Sequence, residues 1–337
     1  MTPLSPRLFV ATVAVLPLLA SCGLTPGSDG PSIQVYSART YGGEKAYDRF
    51  TEETGIKVEF LNGSDAELRE RLAAEGADSK ADVFLTVDAA NLALAAEQGL
   101  LQPVSSPALE QAVPANLRDP QDRWFGLAQR ARVLIYDPDQ VKPDELSSYA
   151  ALGDPEWKGR LCFRTATSAY TQSLVSSFVA HHGEEGAARL LQGWMANEPQ
   201  ILANDVEIVR TVGAGGCAVG ITNHYYVARE LAKDPELGVG VFFPNQATTG
   251  THVNISGAGV TTSADDLPSA TRFLEWLATT GQSPLVDGNF EYPVNPDVQP
   301  VELVRDFGSF ERDQLNVGEL GGHNDVAVRL LADAGYR

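Results

Sequence analysis

The sequence has few cations, cysteines and histidines for its length. Its 337 residues include 25 lysines and arginines against 44 aspartates and glutamates, a formal net charge of -19. This acidity argues against nucleic acid or an anionic membrane surface as partner, because both carry negative charge. We find no internal repeat, no low-complexity tract and no apolar span after the N-terminal one. With 43% hydrophobic residues, the chain can bury more than one core, so we expect two lobes.

The motifs of common catalytic classes are also missing. The sequence contains no nucleophile elbow with partners in the order of a Ser/His/Asp triad, no nucleotide-binding loop and no paired histidines of a metallohydrolase. Its 3 cysteines do not favour a thiolate metal site. These absences argue against an enzyme.

The N-terminus has the pattern of an export signal. The apolar run Leu8–Ala20 has the length of a signal-peptide core and ends in Leu19-Ala20-Ser21-Cys22, which resembles a bacterial lipobox. We therefore predict that residues 1–21 are a lipoprotein signal peptide, that Cys22 carries the lipid and that residues 22–32 form a flexible tether. A secreted protein with an ordinary cleavage site is the alternative.

Two cysteines remain once Cys22 is assigned to the lipid. Cys162 and Cys217 are an even number in a chain exported to an oxidising space, which favours a disulfide between them. Two free buried thiols are the alternative.

Strand and helix patterns alternate at the start of the folded part. We predict strands at Ile33–Tyr36, Ile56–Leu61 and Val83–Val87, with helices at Glu44–Glu53 and Ala66–Ala74. This alternation is typical of an α/β fold with a parallel sheet covered by helices. Ligands of such sheets lie at the carboxyl ends of the strands, and the loop after the first strand carries Tyr41 to that edge.

Two adjacent tyrosines, Tyr225 and Tyr226, lie where a buried strand is followed by a helix, with Asn223 at the expected N-cap. Neighbouring helical residues diverge by about 100°, so both phenols can converge on one point only near the helix start. The positive end of the helix dipole there should ease phenol ionisation, and phenolates suit a hard cation such as Fe(III). An isolated tyrosine pair would otherwise be a packing feature.

Eight segments in order along the chain carry a family pattern. They are Tyr36–Tyr41, Thr54–Val58, Ala81–Ala89, Trp124–Val133, Asn223–Tyr226, Phe242–Gln246, Gly250–Gly259 and Glu291–Asn295. Together they resemble the tyrosine-rich branch of the ferric-iron-binding substrate-binding proteins of ABC importers. The resemblance implies a type II periplasmic-binding-protein fold, with two lobes of mostly parallel sheet flanked by helices and joined by two hinge strands. The N-terminal lobe would comprise 33–130 plus 254–295, and the C-terminal lobe 131–253 plus 296–337.

The same resemblance implies that four tyrosines bind Fe(III). Tyr41 would come from the first lobe, and Tyr170, Tyr225 and Tyr226 from the second. Many members of the family have a histidine immediately before the first tyrosine, where this chain has Thr40. The fifth coordination position would therefore hold a water or a carbonate-like anion, or would stay empty.

Three further residues are candidates for supporting roles. Arg130 and Arg132, near the first crossing between the lobes, are expected to hold an anion or to balance phenolate charge. Surface salt bridges are the alternative for both. Asp88, on the loop after the third strand, is expected to support the ligands rather than to bind metal.

The sequence thus predicts a lipid-anchored, extracytoplasmic monomer that captures Fe(III) between its lobes and delivers it to an ABC permease. It would touch the membrane only through its anchor. Two alternatives stay open at this point. One is a binding protein of the same fold for a small organic or oxyanion solute, and the other is a metalloenzyme with a tyrosinate-ligated metal.

Overall fold

The structure is a computed structural model that describes residues 30–337, except the side chain of Glu44. The predicted signal peptide, Cys22 and most of the tether lie outside the described residues. Within residues 30–337, no helix is long and apolar enough to cross a membrane.

One continuous mixed sheet forms the centre of the described chain. Its strands are β1 Ser32–Ser37, β2 Lys57–Asn62, β3 Val83–Thr86, β4 Phe125–Tyr136, β5 Leu161–Arg164, β6 Gln200–Leu202, β7 Val219–Asn223, β8 Gly240–Phe242 and β9 Val253–Val260. Their order is β2-β1-β3-β9-β4-β7-β5-β6, and β8 pairs with β4. Strand β1 is parallel to β2 and β3, and β5 is parallel to β6 and β7. The α/β class is confirmed, while the crossing strands β4 and β9 add antiparallel pairs.

Helices flank this sheet. They are α1 Glu44–Thr54, α2 Asp65–Glu75, α3 Ala89–Glu97, α4 Pro107–Ala112, α5 Ala169–Ala196, α6 Asp205–Gly213, α7 His224–Lys233, α8 Leu267–Ala278, α9 Gln282–Asp287, α10 Glu302–Arg305, α11 Glu319–Gly322 and α12 Asn324–Asp333. The strands and helices predicted in the first 60 residues of the folded part begin and end within one residue of β1 to β3, α1 and α2. Local signals explain this agreement, for example the capping box in which Ser64 and Glu67 satisfy the start of α2.

Strand β4 joins the two parts of the sheet. Its residues 125–131 pair with β9, and its residues 132–136 pair with β7. We call the part built on β1, β2, β3 and β9 the first lobe, and the part built on β5 to β8 the second lobe. The chain returns just before β9, where the Arg132 N–H donates to the His252 carbonyl at 3.0 Å. The crossing strands approach closely, because a Cβ on Gly257 would lie 2.6 Å from the Phe125 carbonyl oxygen.

The core consists of two clusters of buried apolar side chains. One fills the first lobe and continues along the crossing strands to α6, and the other lies between α5, α12 and the second-lobe strands. A disulfide joins Cys162 in β5 to Cys217 just before β7, as the cysteine pattern favours. Such a bond stabilises a fold by about 2–4 kcal/mol, so it strengthens the second lobe in particular.

Candidate metal centre

Four tyrosines meet where the two lobes face each other. Tyr41 lies in the loop after β1, Tyr170 is the second residue of α5, and Tyr225 and Tyr226 follow the first residue of α7. The Tyr225 hydroxyl donates to the Tyr170 oxygen at 3.1 Å, and the rings of Tyr225 and Tyr226 lie 4.3 Å apart between centroids. The structure therefore brings together all four tyrosines that the sequence singles out.

Arg229 connects Tyr41 to the second-lobe tyrosines. Its guanidinium carbon lies 5.2 Å from the ring centroid of Tyr225 and 5.9 Å from those of Tyr226 and Tyr41. The cluster of rings thus already accommodates a positive charge. Sequence reasoning missed Arg229, although its spacing of three and four residues from the tyrosine pair places it on their side of the helix.

Burial controls the ionisation of the phenols. It raises the pKa of Tyr41 and Tyr170 above 10, and that of Tyr225 well above 10. Nearby negative groups add to the rise, namely Glu291 for Tyr41 and the other tyrosines for Tyr225. In the metal-free chain, burial therefore opposes the easing of ionisation that was expected at the helix start. Asn223 does occupy the N-cap of α7, but its side chain makes no capping hydrogen bond.

A buried hydroxyl without a partner marks the centre. The Tyr41 oxygen is inaccessible to solvent and finds no hydrogen-bond partner among the described residues. Buried polar groups are nearly always satisfied, so such an atom indicates a ligand that would complete it. The described part of the chain contains no cluster of three or more His, Cys, Asp or Glu residues suited to a metal. A metal held here would therefore bind through phenol oxygens, the hard donors that Fe(III) accepts.

Arg130 places a buried cation beside Tyr170. Its guanidinium carbon lies 5.9 Å from the Tyr170 ring centroid, and it donates to the carbonyl oxygens of Val87 and Ile255, the latter at 2.6 Å. Its Nε and Nη1 groups have no partner within residues 30–337. It can therefore balance phenolate charge or hold an anion, as the sequence predicts.

Arg132 belongs to a buried group of two arginines and one aspartate. It is paired with Asp205 at 2.5 Å, and Asp205 is also bound by Arg164, a residue that the sequence did not point to. The carboxylate keeps a lowered pKa although burial alone would raise it, because the two arginines outweigh desolvation. Two arginines share this one carboxylate, so the group keeps one positive charge, and the Arg132 guanidinium carbon also lies 5.9 Å from the Tyr170 ring centroid. Arg164, with its guanidinium carbon 5.2 Å from the Tyr170 ring centroid, places the remaining positive charge near the centre.

Thr40 and Asp88 lie at the edge of the centre. Thr40 is exposed and lines a pocket together with Tyr41, and its neutral hydroxyl is a poor replacement for the family histidine. Asp88 accepts a hydrogen bond from the Asn254 amide at 2.8 Å, and the same nitrogen donates to Ser173 at 2.8 Å. Asp88 therefore connects the first lobe, through Asn254 in β9, to α5, the helix that carries Tyr170. This position fits a supporting role.

The Tyr41 loop is held by a buried ion pair that sequence reasoning missed. Arg39 binds Glu291 at 2.6 Å and also donates to Ser256 and to the Leu285 carbonyl. The pair is almost fully buried, with side-chain exposures of 1% and 0%. The Arg39 guanidinium carbon lies 5.1 Å from the Tyr41 ring centroid, so this anchor positions the tyrosine directly.

Comparisons with known proteins identify the family to which the chain belongs. Residues 31–284 match the family described as bacterial extracellular solute-binding protein. Iron uptake protein A1 of Synechocystis is 42% identical, over 99% of both chains. FutA (IdiA) of Trichodesmium, solved with iron and citrate, is 41% identical with a TM-score of 0.86, over 91% of this chain and 100% of that one. The ferric binding protein of Campylobacter jejuni is 35% identical with a TM-score of 0.81, over 90% and 100%. The chain therefore belongs to the bacterial extracellular solute-binding proteins, a family of binding proteins and not of enzymes.

Proposed function

We propose that the protein captures ferric iron between its lobes through Tyr41, Tyr170, Tyr225 and Tyr226, for uptake into the cell. The observation that carries this proposal is the convergence of four phenols at a point where the Tyr41 hydroxyl is buried without a partner among the described residues. Relatives named iron uptake protein and Fe(3+)-binding periplasmic protein support ferric iron as the cargo.

Iron binding exchanges protons for metal. Free tyrosine ionises near pH ~10, so each phenol that binds Fe(III) at neutral pH must give up its proton. Four phenolates around one Fe(III) leave a charge of about -1 by simple addition. Arg130 and Arg229 can offset that charge. Arg132 and Arg164 share Asp205, so these three residues add one further positive charge near Tyr170. These fixed cations favour the phenolate form, but burial keeps the pKa of Tyr41, Tyr170 and Tyr225 above 10 in the metal-free chain, so the metal must displace the protons.

The division of ligands between the lobes suggests an order of events. Tyr170, Tyr225 and Tyr226 belong to one lobe, so they can receive iron while the lobes are apart. Tyr41 would add its phenolate as the lobes close about β4 and the return crossing before β9. The closed form is then the state that an ABC permease would recognise.

The fifth coordination position would belong to a small molecule. Thr40 is exposed, whereas Arg130 has two buried N–H groups without partners in the described chain. We propose that a water or a carbonate-like anion occupies this position, held by Arg130.

The proposal includes a place in the cell. The family is extracellular, which supports a location outside the cytoplasm. We propose that Cys22 carries a lipid, that the tether frees the body from the membrane and that the protein acts as a monomer. Replacing Cys22 by alanine should release the protein from membranes and leave iron binding intact; retention of Cys22→Ala in the membrane fraction at high salt would contradict the anchor.

The central experiment is a titration of the metal-free protein with ferric citrate. Phenolate donation into Fe(III) should give a broad visible charge-transfer band that Tyr226→Phe weakens strongly. Tyr136→Phe is the matched control, since Tyr136 is a half-buried second-lobe tyrosine at the end of β4. No band beyond that of ferric citrate, with no iron by elemental analysis, would instead favour a small organic or oxyanion solute.

A further inference from the structure

A second cavity lies beside the crossing strand β4, and none of the four tyrosines lines it. Its volume is about 510 Å³, and its lining includes Gln129, Tyr292, Phe310 and Arg312. This volume lies within the range of about 300–1,000 Å³ that is typical of small-molecule sites. By contrast, the pocket lined by Arg130 and Tyr170 measures about 10 Å³. A further pocket of about 320 Å³ is lined by Arg39, Thr40 and Tyr41. The cavity beside β4 is therefore a separate and larger space than either of these two pockets at the tyrosine centre.

The charge of this cavity is opposite to that of the protein. Its charged lining residues are Arg305 and Arg312, and no aspartate or glutamate lines it. The whole chain, in contrast, has 44 acidic and 25 basic residues. Glu311 is next to Arg312 in sequence and its charge acts on Arg312, but it does not line the cavity. A local excess of cations in an acidic protein points to an anionic ligand.

Arg312 is held with part of its guanidinium unused. Its Nε donates to the Gln129 side-chain oxygen at 3.1 Å, and its guanidinium carbon lies 4.5 Å from the Phe310 ring centroid and 5.5 Å from that of Tyr292. Its two terminal nitrogens make no hydrogen bond within the described residues. A fixed, planar guanidinium with free terminal N–H groups matches the two oxygens of a carboxylate.

Tyr292 supplies an independent observation. The residue is 4% exposed, yet its hydroxyl has no hydrogen-bond partner in the part of the chain that the structure describes. Its ring packs against Phe310, with centroids 5.3 Å apart. A buried phenol without a partner in a cavity lining indicates a missing polar group of a ligand.

We propose that this cavity is a second ligand site, which binds a small organic carboxylate with a flat apolar body. The carboxylate lies on the terminal nitrogens of Arg312, and Tyr292 completes its hydrogen bonds. Leu117, Val294 and Val298, which also line the cavity, receive the apolar part. The site is separate from the iron centre, so the proposal stands whether or not the four tyrosines bind iron.

Isothermal titration of the full-length, metal-free protein with indole-3-acetate tests this proposal. Indole-3-acetamide is the matched ligand, because it keeps the shape and lacks the charge. The acetate should bind saturably, and the amide should bind at least about tenfold more weakly, since charge-assisted hydrogen bonds are the stronger ones. Arg312→Gln should weaken acetate binding by about tenfold or more.

Two variants control for location. Arg189→Gln removes an arginine whose side chain is 72% exposed on α5, and it should bind the acetate like the wild type. Tyr225→Phe alters the proposed iron centre and should likewise leave acetate binding unchanged. Arg305→Gln removes the exposed second cation without disturbing the core, so a weaker loss is expected even if Arg312→Gln folds poorly.

Four results would overturn the site, and the first three concern the ligand and the arginines. They are the absence of saturable binding, equal affinity for acetate and amide, and unchanged affinity in both arginine variants. Loss of acetate binding in Tyr225→Phe would equally overturn it, because the ligand would then occupy the tyrosine centre.

Discussion

The two lobes contribute to the tyrosine centre in different ways. The second lobe provides Tyr170, Tyr225 and Tyr226 at the starts of two helices, with Tyr225 already hydrogen-bonded to Tyr170 at 3.1 Å. The first lobe provides only Tyr41, on a loop whose position depends on the Arg39–Glu291 pair. One side of the centre is thus assembled by local secondary structure, and the other by a single long-range ion pair.

This difference separates the strength of binding from the closure of the lobes. Three phenols on one lobe can hold a metal without any movement, because the two helices that carry them pack on the same part of the sheet. A single phenol on the other lobe adds one bond to the metal. Because that bond can form only when the lobes are close together, it stabilises the closed form. We therefore expect changes on the two sides to have different consequences.

The largest effect should come from removing a second-lobe phenol. Tyr225→Phe and Tyr226→Phe each delete a proposed ligand, one that would act whether the lobes are open or closed. Loss of a residue that merely supports a ligand costs about 10–100-fold in metal affinity, so loss of the ligand should exceed about 100-fold. Competition with citrate, followed by visible absorption, measures this loss. If either variant lost less iron affinity than Tyr41→Phe, the second lobe would not be the main source of binding strength.

Tyr41→Phe should have the next largest effect. Iron should still bind to the second lobe and give a visible band, but with lower affinity and with most of the closure lost. Small-angle scattering with and without iron measures the compaction. If Tyr41→Phe compacts on iron loading as the wild type does, Tyr41 is not the closing ligand.

Breaking the anchor of Tyr41 should affect iron binding less than removing the phenol. Glu291→Gln leaves Arg39 buried without its charge partner, and the loss of one partner of a buried pair destabilises a fold by about 3–5 kcal/mol. Chemical unfolding should show this loss, together with weaker iron binding than in the wild type. Glu184→Gln is the control, because Glu184 and its partner Arg329 are 54% and 52% exposed and such pairs contribute about 0–1 kcal/mol. Equal stability of the two variants would show that the pair does not hold the loop.

The smallest effect should be a difference in pH dependence. The pKa values of Tyr41, Tyr170 and Tyr225 are raised above 10, so these groups are protonated at neutral pH and iron must displace their protons. Affinity for free Fe(III) should therefore fall as pH falls, by about tenfold per pH unit for each displaced proton. Tyr41→Phe should displace one proton fewer than the wild type.

Competition titrations between about pH 6 and 8 measure these slopes. The metal-free fold should keep its stability over this range, because a raised phenol pKa contributes stability below pH ~10 that is lost only in more alkaline solution. Identical slopes for wild type and Tyr41→Phe would mean that Tyr41 does not lose its proton to iron.

The sequence was informative wherever the signal was local. The early strands and helices, the start of α7 beneath Tyr225 and Tyr226 and the pairing of Cys162 with Cys217 all follow from spacing, capping or cysteine count. The ion-pair partners of the arginines could not be predicted from such local signals. Sequence reasoning did not predict that Arg132 pairs with Asp205, a residue 73 positions away.

By itself, the sequence predicted the α/β class, which the structure confirms, and four tyrosines as ligands, which stays a prediction. Both rest on periodicity, helix starts and a family pattern that lie in short segments. Only the tertiary structure decided the electrostatics around them. Arg39 meets Glu291 across 252 positions, and burial raises the pKa values of Tyr41, Tyr170 and Tyr225. Desolvation and ion pairing depend on which distant residues share a space from which water is excluded, and no local pattern records that.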